Sequence, residues 1–222
     1  MILRIVRGRL AVADRDRAVR YIREDVLAPA AGIPGMTSFQ PAVREGTDDL
    51  EFLVVSTWTD LDAVMATGAV RETVMAVPRM KEIVLEPTAE HWELMMHAAS
   101  PLPVQQAILR LSTVTLEPRH ATAFYERVRM LWDALVGGAG LLAVVVGRRV
   151  DEGGESAIVV SVWDGAGSLA AATTEGFVGG SSMAEFYTSE PRIEHFEALP
   201  ILEPLGEAVP LVLAEGPSPP SS

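Results

Sequence analysis

The chain has 222 residues, of which 49% are apolar, and a formal net charge of −12. This acidic surplus argues against nucleic-acid binding, which depends on clustered cations that displace counterions from phosphate. The absence of cysteine excludes disulfide bonds, thiolate metal ligands and cysteine nucleophiles. The amino terminus is charged from Arg4 onward, and no later apolar run has the length of a membrane-spanning helix. We therefore expect a cytoplasmic protein that binds neither nucleic acid nor membrane.

The sequence repeats itself once, with an offset of about one hundred residues. Three separate landmarks agree on that offset to within two residues: ILRI at 2–5 with ILRL at 108–111, VVSTW at 54–58 with VVSVW at 159–163, and EHWE at 90–93 with EHFE at 194–197. Chance agreement of this kind is improbable over a full period. The pattern predicts an internal duplication.

Prolines at positions 101 and 103 mark the boundary between the repeats, since proline disfavours both helix and central strand. The end of the chain is rich in proline and serine, a composition typical of disorder. We predict a first repeat over 1–98, a linker over 99–105, a second repeat over 106–202, and a carboxy-terminal extension over 203–222.

Each repeat begins with a predicted strand, 2–10 and 108–116, that is rich in aliphatic and β-branched residues. A helix follows, at about 14–27 in the first repeat. In the second repeat apolar residues recur at a spacing of three and four from Ala121 to Leu135, which predicts an amphipathic helix. Glycine-rich turns end both helices, because a positive φ angle is needed where the chain reverses.

Second and third strands form a predicted hairpin in each repeat, and the third strands end at Trp58 and Trp163. A second helical region follows each tryptophan, over 59–83 and 164–187. Glycines at 176, 179 and 180 predict that the later one is broken. The closing strands carry the EHWE and EHFE segments.

This order of elements is that of a ferredoxin-like α+β unit. The sequence resembles the dimeric α+β barrel superfamily, especially the antibiotic biosynthesis monooxygenase-like domains, in three features. These are the turn before each hairpin, the aliphatic-Ser-x-Trp end of the third strand and the acidic-aromatic last strand. The resemblance rests on 54–58, 159–163, Gly35, Gly140 and the two final strands. It implies two four-stranded antiparallel sheets that form a barrel within one chain, an intramolecular pseudo-dimer, and it leaves further homo-oligomerisation open.

For function, the resemblance implies either a cofactor-independent oxygenase or related enzyme on a small apolar or aromatic substrate, or a non-catalytic barrel that binds a small ligand or has a structural role. We expect no bound organic cofactor and no metal. The haem-degrading members combine an asparagine on the first strand with a tryptophan and a histidine on the second helix. This chain contains no asparagine. Its second helical regions, 59–83 and 164–187, contain neither tryptophan nor histidine. Haem cleavage by that route is therefore not predicted.

Two histidines are candidates for acid–base catalysis. His91 and His195 lie at equivalent places in the closing strands, each two residues before a glutamate, Glu93 or Glu197, on the same side of its strand. If the two histidines converge, they form a shared proton or metal site. A solvated or purely structural role is the competing interpretation.

Two arginines are candidates for substrate binding. Arg4 and Arg110 interrupt the otherwise apolar first strands, and a buried arginine needs a carboxylate or an anionic ligand to offset its desolvation. Glu51, Glu93 and Glu197 are the candidate protein partners. The alternative to a ligand site is therefore a structural ion pair.

The first helix of the second repeat carries further candidates. His120 and Tyr125 are potential catalytic groups, and Phe124 and Trp132 are potential contacts for an apolar substrate. The first repeat has a different, more polar helix. If a cavity exists, we expect only one repeat to be competent and favour the second, because its helix carries His120 and Tyr125; ordinary core packing is the alternative for the aromatic residues.

Overall fold

The computed structural model describes residues 1–22, 24, 33–67, 78–99, 107–135, 140–151, 154–174 and 181–199. The predicted linker beyond Ala99, the carboxy-terminal extension and the glycines at 176, 179 and 180 lie outside these residues. Within the described part of the chain, no helix is both long and apolar enough to cross a membrane.

The predicted α+β fold class is confirmed, because the described chain contains both helices and an antiparallel sheet. The elements in chain order are β1 (Ile2–Leu10), α1 (Arg15–Ile22), β2 (Met36–Glu45), β3 (Leu50–Trp58), α2 (Leu61–Ala66), β4 (Val84–Ala99), β5 (Ala107–Leu116), α3 (Ala121–Leu135), β6 (Leu141–Asp151), β7 (Gly154–Trp163), α4 (Ala166–Thr174) and β8 (Arg192–Ala198). Short 3-10 helices, Pro78–Glu82 and Ser181–Phe186, precede β4 and β8.

All eight strands belong to one antiparallel sheet, in the order β1-β3-β2-β8-β5-β7-β6-β4, and β4 pairs with β1 so that the sheet closes as a barrel. Strands β1 to β4 are ordered β4-β1-β3-β2, and strands β5 to β8 repeat that order as β8-β5-β7-β6. The two groups meet where β2 pairs with β8 and where β4 pairs with β6.

The expectation of two four-stranded sheets that form a barrel is confirmed only in part, because the eight strands form one continuous sheet. The reason is the length of β4. This strand has 16 residues, and it pairs with β1 along its first part and with β6 along its last part. A single strand thus carries the hydrogen bonding from one group of strands into the other. Its end at Ala99 also reaches the first residue of the predicted linker.

The apolar residues form three clusters because strand side chains alternate between two faces. One cluster fills the interior of the barrel and draws on every strand, including Leu3, Trp92, Leu109 and Phe196. The other two lie outside the sheet, one beneath α1 and the other beneath α3 and α4. Any cavity between the sheet and a helix therefore lies on the outer face.

The duplicated aliphatic-Ser-x-Trp segment has a local physical cause. The indole Nε1 of Trp58 donates a hydrogen bond of 2.9 Å to the Ser56 hydroxyl, and Trp163 does the same to Ser161 at 2.9 Å. Residues two apart on a strand share a face, so the serine is positioned to satisfy the buried indole. A buried N–H without such a partner costs about 1–3 kcal/mol.

Candidate functional site

A cavity of about 60 Å³, partly open to solvent, lies between α3 and the outer face of β5 and β7. One water-sized group needs about 10–15 Å³ and a benzene ring about 150 Å³. The cavity therefore holds several water-sized groups, and an aromatic ring would extend through its open side. Arg110 and Ser112 from β5 and Ser161 from β7 form its sheet side. The remaining described lining is aromatic or apolar, and comes from Phe124, Val128, Leu131, Trp132, Leu135, Val159, Met183, Tyr187 and Pro191.

Helix α3 forms one wall because its apolar stripe faces the sheet. Phe124, Val128, Trp132 and Leu135 recur at the helical spacing, and all four are buried. Phe124 and Trp132, the two residues predicted to contact an apolar substrate, both line the cavity.

Arg110 is the one charged residue among the described residues that line the cavity. Its side chain is buried, with 7% of the residue exposed, and no described carboxylate lies within ion-pairing distance of its guanidinium. Burial lowers the pKa of Arg110 below its ordinary value, and the nearby Tyr187 side chain opposes that shift. The guanidinium stays ionised at neutral pH. A buried cation in this position favours an anionic ligand.

The three glutamates considered as partners for the strand arginines are engaged elsewhere. Each forms an ion pair with an arginine of another strand or of a helix, and the pairs are Arg44–Glu51, Arg148–Glu93 and Arg15–Glu197.

The other polar groups of the cavity are mainly hydrogen-bond donors. Trp132 Nε1 is buried and has no hydrogen-bond partner within the described ranges. Burial raises the pKa of the Tyr187 hydroxyl, and the positive charge of Arg110 offsets part of that rise, so Tyr187 is a neutral donor. Ser112 adds a second hydroxyl, whereas Ser161 already accepts the bond from Trp163. An acceptor-rich ligand suits this set.

Sequence reasoning did not predict Tyr187, Ser112 or Ser161 as lining residues. Ser112 follows Arg110 by two positions on β5, and this period of two could have indicated a shared face. Tyr187 is brought to the cavity by a bridge between Tyr187 and Leu116, a long-range pairing that no local pattern announces.

His195 lies directly opposite Arg110 in the pairing of β8 with β5, and His91 lies opposite Arg4 in the pairing of β4 with β1. The predicted equivalence of the two histidines therefore holds in strand register. Burial, followed by the charges of Arg110 and Arg44, lowers the pKa of His195. Burial, followed by Arg4, lowers the pKa of His91.

The two histidines do not share a site. Their neighbours in sequence, Trp92 and Phe196, point into the barrel, so the histidines lie on its outer face. Strands β4 and β8 are separated by three other strands in either direction around the ring. No cluster of three or more metal-ligating His, Asp or Glu side chains occurs in the described ranges. The condition for a shared proton or metal site, convergence of the two histidines, is therefore not met.

Neither histidine forms a hydrogen bond with the glutamate two residues after it within the described part of the chain. Glu197 instead accepts a hydrogen bond of 2.5 Å from Arg15, and Glu93 lies 3.6 Å from Arg148. These arginines outcompete a neutral imidazole because a charge-assisted bond is stronger.

His120 and Tyr125 do not line the cavity, and neither does Arg4. The Nδ1 of His120 lies 3.1 Å from the Glu185 carbonyl oxygen, a contact that ties the start of α3 to the segment before β8. Burial, followed by the Glu155 carboxylate, raises the pKa of Tyr125. This side chain belongs to a different polar cluster, in which Glu155 accepts hydrogen bonds from Arg148.

No protein-family profile matches the chain, and no curated protein sequence matches it. Solved structures match it in fold. A "putative monooxygenase" from Fusobacterium nucleatum has a TM-score of 0.70 at 11% identity, covering 91% of this chain and 92% of its own. Another from Lactobacillus acidophilus NCFM has a TM-score of 0.66 at 12% identity, with coverages of 89% and 92%. An anthrone oxidase-like protein has a TM-score of 0.55 at 14% identity, with coverages of 89% and 91%.

These similarities confirm the predicted resemblance. The chain has the fold of these "putative monooxygenase" structures. At such identities the comparison establishes fold alone.

Proposed function

We propose that the cavity beside Arg110 binds a small aromatic molecule through an ionised or strongly polar oxygen, and that the chain is an oxygenase-type enzyme acting on that molecule. The observation that carries the proposal is the buried Arg110 guanidinium, which has no carboxylate partner within the described ranges and faces a cavity with aromatic walls.

The lining accounts for both halves of such a ligand. Phe124, Trp132 and Tyr187 supply the aromatic contact, and apolar side chains exclude water around it. Arg110 and the free indole N–H of Trp132 supply donors for an oxygen. A hydrogen bond to a charged group contributes about 1.5–3 kcal/mol, which corresponds to roughly tenfold to a hundredfold in affinity.

A pair of probes of matched shape tests the binding site. Titration calorimetry with 4-nitrobenzoate and with 4-nitrobenzyl alcohol compares an anionic and a neutral ligand of the same ring. We expect the benzoate to bind at least about tenfold more tightly. The Arg110→Met variant loses this preference.

Arg4→Met is the matched control, since Arg4 occupies the equivalent strand position but does not line this cavity. It retains the preference for the benzoate, provided that circular dichroism shows both variants to be folded. Equal affinity of the unmodified protein for acid and alcohol would contradict the proposal.

Oxygenase chemistry enters the proposal from the fold neighbours named as monooxygenases and from the anthrone oxidase-like protein. The corresponding reaction oxidises an activated methylene to a carbonyl with O₂ and releases water. Anthrone is the probe, and an oxygen electrode measures one O₂ consumed for each anthraquinone formed. Binding of anthrone without catalysed O₂ uptake supports the alternative, a non-catalytic ligand-binding barrel.

The proposal includes a tandem architecture, in which residues 1–98 and 106–202 are two ferredoxin-like units that form an internal pseudo-dimer. The shared strand order of the two groups supports it, as does the common register of the pairs Arg4–His91 and Arg110–His195. A protease site inserted within 100–105 tests it. Cleaved halves that co-elute as a one-to-one complex support the pseudo-dimer, whereas separation without loss of folding contradicts it.

A further inference from the structure

We propose that His195 is the base that removes the proton from an acidic hydroxyl, a phenol or an enol, of the molecule that Arg110 holds. The inference rests on the proposed function and deepens it, because it assigns the substrate class as a weakly acidic aromatic alcohol or enol. It also names the imidazole of His195 as the group that accepts the proton of the substrate hydroxyl.

The geometry places His195 beside the anion-binding group. Arg110 and His195 are directly paired residues of β5 and β8. Side chains of directly opposed residues stand on the same face, with Cβ atoms about 4.5–5.5 Å apart. His195 is not itself a described lining residue; it lies next to the cavity, beside Arg110, and is exposed.

The imidazole is not engaged by a carboxylate within the described part of the chain. Glu197 shares its side of β8 but forms an ion pair with Arg15 of α1 at 2.5 Å. The charged groups that act on His195 are therefore positive, Arg110 from β5 and Arg44 from β2. With burial, they favour the neutral imidazole, which is the form that accepts a proton.

Protonation of His195 beside Arg110 is favourable only when an anion forms with it. In the empty site, protonation of His195 would place two cations side by side. When a bound hydroxyl transfers its proton to an imidazole nitrogen, the O–H bond breaks, an N–H bond forms, and the resulting oxyanion lies between Arg110 and the imidazolium. Substrate ionisation is thus coupled to protonation of His195, with no net proton released.

The first repeat provides an internal comparison. His91 faces Arg4 in the same register, but Arg4, unlike Arg110, does not line the described cavity. His91→Gln is therefore the matched control for His195→Gln, since both substitutions remove an exposed imidazole beside a strand arginine.

The test uses 4-nitrophenol, whose phenolate absorbs visible light, at a pH below the pKa of the free phenol. We expect the complex with the full chain to show the phenolate band, with no proton released to a pH indicator. In H195Q the phenolate signal per bound probe falls severalfold, and any remaining signal is accompanied by an equal release of protons. H91Q behaves as the unmodified protein.

The affinity for 4-nitrobenzoate separates the two claims, because this probe is already ionised and needs no base. We expect H195Q to bind it within about threefold of the unmodified protein, by analogy with other exposed substitutions. If H195Q retains both benzoate affinity and the full phenolate signal, the role of His195 is refuted while the binding site stands. If the unmodified protein binds 4-nitrobenzoate no more tightly than 4-nitrobenzyl alcohol, the proposed function itself is refuted.

Discussion

Arg7, in the first strand, donates two hydrogen bonds to Glu194, in the last strand, at 3.3 and 2.9 Å. Strands β1 and β8 are not neighbours, since β3 and β2 lie between them. The two side chains therefore meet across the interior, at one end of the barrel. Glu194 has only 5% of its side chain exposed and also accepts hydrogen bonds from Arg44 and Arg192. One carboxylate thus gathers three cations, two of them from the first repeat.

Removal of that carboxylate is expected to destabilise the fold. Glu194→Gln leaves Arg7 and Arg44 without their shared partner, and breaking a buried ion pair from one side costs about 3–5 kcal/mol. Because both arginines remain partly exposed, we expect the lower end of this range, about 3 kcal/mol. Urea unfolding measures the change.

Glu90→Gln is the control for that substitution. Glu90 occupies the equivalent place in the first repeat, but its side chain is 37% exposed and its contacts with Arg7 and Arg149 are longer, at 3.9 and 3.5 Å. Exposed pairs of this kind contribute little, so the expected loss is about 0.5 kcal/mol. Equal effects of the two substitutions would show that burial of Glu194 has no special importance.

The same carboxylate makes stability depend on pH. Burial acts to raise the pKa of Glu194, but the hydrogen bonds and charge of Arg7, with Arg192 and Arg44, bring it below the ordinary value of 4.5. A lowered folded-state pKa means that the contribution is complete above the ordinary value and is lost as pH falls below it. Urea midpoints measured from neutral pH downward should therefore fall less in E194Q than in the unmodified protein. Parallel pH profiles would contradict this assignment.

The turn before β6 requires glycine at one position. Gly140 has a φ of +75°, and its carbonyl accepts a 2.9 Å hydrogen bond from the Asp164 amide. An added Cβ would lie 2.4 Å from the Asp164 Oδ1 and 2.4 Å from the Ser168 hydroxyl. We expect Gly140→Ala to cost about 1–3 kcal/mol through strain in the backbone.

Gly165→Ala provides the comparison, because no heavy atom of the described residues, other than Gly165 and its chain neighbours, lies within 4 Å of the Cβ that it would add. Its effect should stay within about 0.5 kcal/mol in thermal or urea unfolding. If Gly140→Ala is as well tolerated as Gly165→Ala, the turn does not require the positive φ angle.

Local signals in the sequence were sufficient for most of the described elements. The β-branched run at 2–10 gave β1 its full length, and the three-and-four spacing from Ala121 to Leu135 gave α3 both its bounds and its buried face. The duplicated register of Arg110 and His195 also follows from the offset between the repeats. These features depend on alternation and period, which short stretches of sequence carry.

Long-range features could not be obtained in this way. The strands join into one sheet because β4 pairs with β6 after it has paired with β1. Tyr187 reaches the cavity because it forms a bridge with Leu116. The same limit explains the misplaced partners, since Glu197 finds Arg15 at a separation of 182 residues. The spacing in the sequence placed Glu197 on the same side of the strand as His195. It could not show that Arg15, from a distant helix, would bind that carboxylate instead.

The central claim, that Arg110 holds the oxygen of an aromatic ligand, is tested most directly by a crystal structure of the protein with 4-nitrobenzoate. We predict that the carboxylate lies within hydrogen-bonding distance of the Arg110 guanidinium, with the ring against Phe124 and Trp132. A benzoate bound instead at the arginine cluster around Glu194, with the cavity beside Arg110 unchanged, would contradict the claim.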